Sequence, residues 1–170
     1  MEKQLGRRIF AFFAALAVGV GLHFLYDFFP NVLTALIAPV NESIWEHLKL
    51  LFWPLLAWGI YAIHKGSPMG GQMLALLISS ALLLSAGYLY HIVFSGEGIV
   101  FDIALFVITM ALGFWLPTRL EKLLQGRWGE LFLLLVIALG VAIILFTFLP
   151  PDYPLYTDFS AQSTWRTIPY

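Results

Sequence analysis

The chain has 170 residues, of which 61% are hydrophobic and 11% charged, with a mean hydropathy of +0.87 and a formal net charge of −1. Soluble domains carry about 25% charged residues, so this composition belongs to an integral membrane protein and leaves no room for a separate soluble catalytic domain. The basic residues form no dense patch, which argues against a nucleic-acid partner, and the lack of cysteine removes thiolate metal sites, thiol catalysis and disulfides.

Lys3, Arg7 and Arg8 precede an apolar run that predicts a first span over residues 8–29, stopped by Pro30-Asn31. The run is too long for the apolar core of a signal peptide and reads as an uncleaved span. A mildly apolar connection over residues 32–40 either dips into the membrane or lies along its surface. A second span is expected over residues 43–64, ending before Gly66-Ser67-Pro68, and a third over 69–94, closed by the turn Ser95-Gly96-Glu97-Gly98. The fourth is expected over 99–117, halted by Pro117, and the fifth over 131–149, ended by Pro150-Pro151. The expected fold is an all-α polytopic bundle of five transmembrane helices filling residues 1–149, followed by a non-helical Pro/aromatic tail over 150–170.

Loop charges set an orientation. With the N-terminus in the cytoplasm, Lys3, Arg7, Arg8, Lys65, Arg119, Lys122 and Arg127 fall on the cytoplasmic side, and only Lys49 and Arg166 on the other. That positive-inside bias points the tail outward. Tyr153, Tyr156, Phe159, Trp165 and Tyr170 suit that tail either to a headgroup-level anchor or to a lid.

The same outward end collects His23, Asp27, Glu42, Glu46, His47, Lys49, His91 and Asp102. Ionisable groups at membrane depth cost several kcal/mol, about 2.5–3.5 each on insertion scales, and usually face a partner or a water-filled cavity. In the first span Ala11, Ala15, Gly19, His23 and Asp27 recur at every fourth position. Small residues at that spacing mark close helix approach, so His23 and Asp27 should face the bundle, where they either lock two helices or hold a metal ion. Asn41 to Lys49 is the densest polar segment. Ser43-x-x-Glu46 has the form of a capping box, and Asn41 is a good N-cap. Capping explains neither His47 nor Lys49, and Glu46 and His47 lie about 100° apart on a helix, too far round to share one small site. His91 closes the third span and Asp102 opens the fourth at similar depth; Asp102 also suits a helix N-terminus by itself. H-E-x-x-H, G-x-S-x-G, the P-loop and G-x-G-x-x-G are all absent.

His23-x-x-Tyr26-Asp27, Pro39-Val40-Asn41-Glu42-Ser43-x-Trp45-Glu46-His47-Leu48-Lys49 and Pro150-Pro151-x-x-Pro154-Leu155-x-x-Asp158 resemble the signatures of a small bacterial integral-membrane family of unknown function. The resemblance spans most of the chain and implies a compact multi-span bundle in a bacterial cytoplasmic membrane; it carries no activity with it. A more distant analogy is to the intramembrane hydrolases related to alkaline ceramidases, which bind zinc through His and Asp among their helices. Those have seven spans and a C-terminal H-x-x-x-H that this chain lacks.

Three functions compete on these residues. The first is a metal-dependent intramembrane hydrolase of a lipid or lipid-linked substrate, with His23, His91 and one of Asp27 or Asp102 holding Zn²⁺, His47 as a further candidate ligand, and Glu46 or Glu42 as general base. The second is a proton or cation transporter or channel, for which Ser79, Ser80, Ser85 and Thr109 are the mid-membrane candidates and five spans call for an oligomer. The third is a non-enzymatic assembly or sensor protein whose polar cluster ties helices together.

Overall fold

The computed structural model describes residues 2–120 and 127–159, with side chains from Leu5 onward. Lys122, Trp165, Arg166 and Tyr170, which entered the orientation and tail readings, lie outside the described residues, as does the Lys3 side chain. The described chain is helical throughout: α1 (Glu2–Phe28), α2 (Val32–Ile37), α3 (Ile44–His64), α4 (Met69–Tyr88), α5 (Ile99–Leu120) and α6 (Trp128–Phe148). A π-helical turn (Leu89–Val93) extends α4, and a 3₁₀ turn (Pro154–Tyr156) follows α6.

Five long helices cover the stretches expected as spans, but they are not equivalent. Segments Leu5–Phe28, Met69–Val93, Ile99–Leu120 and Trp128–Phe148 are each long and apolar enough to cross a membrane. α3 has the length, yet it carries Glu46, His47 and Lys49, and it occupies the middle of the bundle. Twelve of its 21 residues are buried, against four of 21 in α6. Of its neighbours, α1, α4 and α6 run antiparallel to it and α5 runs parallel. Ile44 meets Gly87 and Gly59 meets Met73 along α4; Trp45 meets Phe146 and Phe52 meets Gly140 along α6. Trp58 stacks on Phe114 of α5 with ring centroids 4.8 Å apart. A core of Leu48, Leu51, Phe52, Leu55, Met73, Leu76, Met110 and Phe114 fills the space between them. The apolar side chains left exposed, such as Phe10, Phe13, Leu134 and Val141, lie on the outer faces of α1 and α6, where hydrocarbon is the natural solvent.

The connection over residues 32–40 is ordered. Asn31 accepts from the Leu33 and Thr34 N–H groups while Thr34 Oγ1 accepts from the Asn31 N–H, a reciprocal cap that starts α2. Pro117 does not halt α5, which continues to Leu120. The carbonyl that a helical proline leaves unbonded and crowds belongs to the fourth residue back, which here is Gly113, so the ring meets no bulky side chain at that point. Pro54 sits inside α3 in the same way and frees the carbonyl of Leu50. That carbonyl faces Gly19 of α1: a Cβ added to Gly19 would lie 2.9 Å from Leu50 O and 2.6 Å from the Phe106 ring of α5. The stripe of α1 therefore packs inward as its spacing predicts as far as His23, whereas Asp27, expected to face the bundle, is exposed; α1, α3 and α5 meet at one tight layer.

Candidate functional site

One turn outward from the Gly19–Leu50–Phe106 layer, about 5.4 Å along each axis, the three helices carry His23, His47 and Asp102. The polar end of the molecule is thus laid on a floor with no room for a side chain. Three arrangements occupy it.

The first joins His23, Glu42 and His47. One ligand-type atom from each lies within 4.8 Å of the other two. His47 Nδ1 lies 2.9 Å from the Ser43 carbonyl; a carbonyl only accepts, so Nδ1 carries the hydrogen and Nε2 is left for another partner. Nε2 is 3.3 Å from Glu42 Oε2, close to the edge of roughly 3.3 Å between two ligands of a tetrahedral zinc ion with bonds near 2.0–2.1 Å. The His23 ring sits 5.2 Å from that of His47, and its Nδ1 is buried without a hydrogen-bond partner. A metal-binding histidine typically has its second nitrogen tied to a carbonyl, and His47 is tied that way. Two imidazoles and a carboxylate, one nitrogen orphaned, fit a zinc-like divalent ion. Glu42 precedes α3, and its side chain is half exposed. Where Nε2 carries a proton rather than a metal, its hydrogen bond to Glu42 holds that carboxyl below the usual carboxylate range, against the opposing effect of partial burial.

The second arrangement takes Glu46 out of that group. Ser43 caps α3 by accepting from the Glu46 N–H, but the reciprocal half of the expected capping box is missing, because Asn41 Oδ1 takes the Ser43 N–H instead. The Glu46 carboxylate is free to turn inward. One oxygen accepts from Lys49 Nζ (2.6 Å) and the Val40 N–H (3.0 Å), and the other lies 2.9 Å from the Thr147 hydroxyl of α6. Lys49 is fully buried and spends its other two hydrogens on the carbonyls of Ala35 (2.7 Å) and Ala38 (3.1 Å), the exit of α2. Every donor of the ammonium is used. This network ties α2, α3 and α6 together, and it engages both carboxylate oxygens of the residue expected to act as general base.

The third is His91 with Asp102. Nδ1 of His91 faces the Gly96 carbonyl at 2.9 Å, and Nε2 lies 2.7 Å from Asp102 Oδ1. The zinc set read from spacing, His23 with His91 and Asp27 or Asp102, is therefore not the set that converges. His91 is engaged on both nitrogens by its own hairpin, and Asp27, exposed on α1, makes no hydrogen bond to a described residue. Asp102 nonetheless lies on the α5 face of Phe106, the face that packs on α1 at Gly19.

Residues 150–159 of the tail pack against this end. Tyr156 is buried between Trp45 and Phe146, with ring centroids 5.1 and 5.6 Å away, Asp158 accepts from the Glu42 N–H at 3.3 Å, and Phe159 lies 5.3 Å from the His91 ring. Asp158 was absent from the site residues expected from sequence. Its fixed place at the end of Pro150-Pro151-x-x-Pro154-Leu155-x-x-Asp158 was the available signal.

No curated protein and no solved structure matches the chain. A family model does match, over residues 7–164, which is most of the sequence and takes in every residue of the three arrangements. The chain accordingly belongs to DUF6512, a family of unknown function.

Proposed function

We propose that the protein is a metal-dependent hydrolase of a bacterial cytoplasmic membrane, acting at the extracytoplasmic rim of a five-span bundle on an acyl lipid or lipid-linked substrate. His23, His47 and Glu42 are the proposed ligands of a zinc-like ion. The observation that carries this reading is the convergence of those three groups with the His47 tautomer already fixed by Ser43. An ion held there supplies a Lewis acid and lowers the pKa of water. Three protein ligands leave one position open, as catalytic rather than structural zinc sites do.

The charge distribution favours an ester or amide bond over a phosphoryl group. Phosphoryl transfer relies on cations around the reacting oxygens. Among the described residues, Lys49 is the cation at this end, and it is buried and fully engaged. Arg7, Arg8, Lys65, Arg119 and Arg127 lie at the opposite helix ends. The transport reading draws less support: the Thr109 and Ser85 hydroxyls bond back onto their own helices, as isolated hydroxyls in membrane helices do.

The test is elemental analysis of untagged protein purified without chelator, beside His23→Ala and His47→Ala. About one equivalent of zinc, lost in both variants while they remain folded, supports the reading and justifies an acyl-lipid substrate panel. Wild-type protein that holds no divalent metal overturns it.

A further inference from the structure

The His91–Asp102 pair is separate from the proposed ligands, yet it faces them. α3 and α5 run parallel, with Trp58 stacked on Phe114 at one end, so His47 and Asp102 reach the polar end at the same level. Asp102 is not within ligand distance of all three proposed ligand residues, but it shares the α5 face of Phe106, which packs on Gly19 one turn below His23. That offset suits a group that acts on water beside an ion rather than on the ion itself.

The bland role for the pair is to staple the hairpin between α4 and α5, and the hairpin is already stapled. The Gly96 N–H bonds to the Tyr90 carbonyl at 2.8 Å, the Gly98 N–H to the Tyr90 hydroxyl at 3.1 Å, and the Tyr90 ring stacks on Phe101 at 3.8 Å. Two further features single the pair out. His91 lies in the π-helical turn Leu89–Val93, and such turns are frequent at functional sites. Both its nitrogens face oxygens, Gly96 O and Asp102 Oδ1, so a hydrogen is needed on each side of the ring and the pair holds a proton between them.

From this arrangement we infer that Asp102 is the general base of the proposed hydrolase and that His91 positions it, an assignment resting on the metal-site reading above. As a water oxygen bonds to the substrate carbonyl carbon, one water proton passes to Asp102. When the bond from that carbon to the leaving oxygen or nitrogen breaks, the proton passes to the leaving atom. One water is consumed, and a carboxylic acid and an alcohol or amine are released. His91 donates from Nε2 to the same carboxylate throughout and holds it in place. Glu46, engaged on both oxygens, is left to structure.

The experiment uses full-length protein in nanodiscs, loaded with one equivalent of zinc, and a panel of fluorogenic acyl esters and acyl amides of long-chain lipids. Wild type, Asp102→Asn, Asp102→Glu and His91→Gln are compared for bound zinc, kcat and KM. The expected result is full zinc occupancy in all four. Asp102→Asn should lose about 10²–10⁴-fold in kcat, the usual worth of a general base, with KM little changed; Asp102→Glu should recover part of the loss. His91→Gln should lose less than Asp102→Asn, again in kcat. Loss of zinc in Asp102→Asn would make Asp102 a ligand and overturn the assignment. Undiminished kcat in Asp102→Asn would overturn it while leaving the hydrolase standing. A zinc-loaded wild type that cleaves nothing in the panel overturns the hydrolase reading and this role with it, a pattern distinct from the other two.

Discussion

Glu46 and Lys49 show how much a single buried contact can decide. The ammonium has three hydrogens and three acceptors, and removing one member strands the other. Breaking such a pair from one side costs about 3–5 kcal/mol, whereas replacing both members by apolar groups is often close to neutral. Glu46→Gln and Lys49→Met should therefore each lower the midpoint of tryptophan-monitored unfolding sharply, and the double variant should fall well short of the sum. Additive losses would mean that the two do not act as a pair. Glu42 behaves differently because it is half exposed. Glu42→Gln should cost no more than about 1 kcal/mol of stability yet weaken zinc binding at least about tenfold in a competitive chelator titration. Its folded pKa is depressed by His47. The stabilisation it supplies is thus present above the ordinary carboxylate pKa of about 4 and is lost as pH falls through the lowered value. The stability difference between wild type and Glu42→Gln should persist from neutral pH down to that range and vanish only below it.

At the scale of elements, the approach of α1 to α3 and α5 is set at Gly19. A methyl group there meets a backbone carbonyl, which cannot rotate away, as well as the Phe106 ring. Gly19→Ala should cost about 1–3 kcal/mol and, because His23 sits one turn above, should also weaken zinc binding without touching a ligand. Normal zinc affinity in a destabilised Gly19→Ala would show that the floor does not set the site. The stripe from Ala11 to His23 was legible in the sequence because helical spacing of small residues has one strong explanation. The partition of Glu46, His47, His23 and His91 was not. Sequence placed them at one end but could not tell which carboxylate each histidine would meet. That depended on Asn41 displacing Glu46 from the cap and on a π-helical turn re-aiming His91, neither of which leaves a periodic mark. α2 was read as an apolar connection because its cap, Asn31 with Thr34, lies in a segment too short for periodicity to register.

Across the whole molecule, alternating helix directions gather the basic residues of the described helix ends on one side and the ionisable cluster on the other. In the proposed orientation the cluster faces outward. The lack of native cysteine makes this directly testable. Ser95→Cys should react with a membrane-impermeant maleimide on intact cells, and Ser67→Cys only after permeabilisation. The reverse pattern would put the N-terminus outside.

The central place of α3 carries a consequence for how the protein is made. Four helices are apolar enough to enter a bilayer on their own account, but a segment bearing Glu46, His47 and Lys49 is penalised by several kcal/mol on insertion scales. Lys49 is fully hydrogen-bonded only with the carbonyls of α2 in place, and the Thr147 contact to Glu46 is made by α6, which follows all the other described long helices in the chain. α3 should therefore linger at the translocon or the interface until later segments emerge. Ribosomes stalled before α6 should leave it accessible, and its commitment to the membrane should coincide with completion of the bundle rather than precede it.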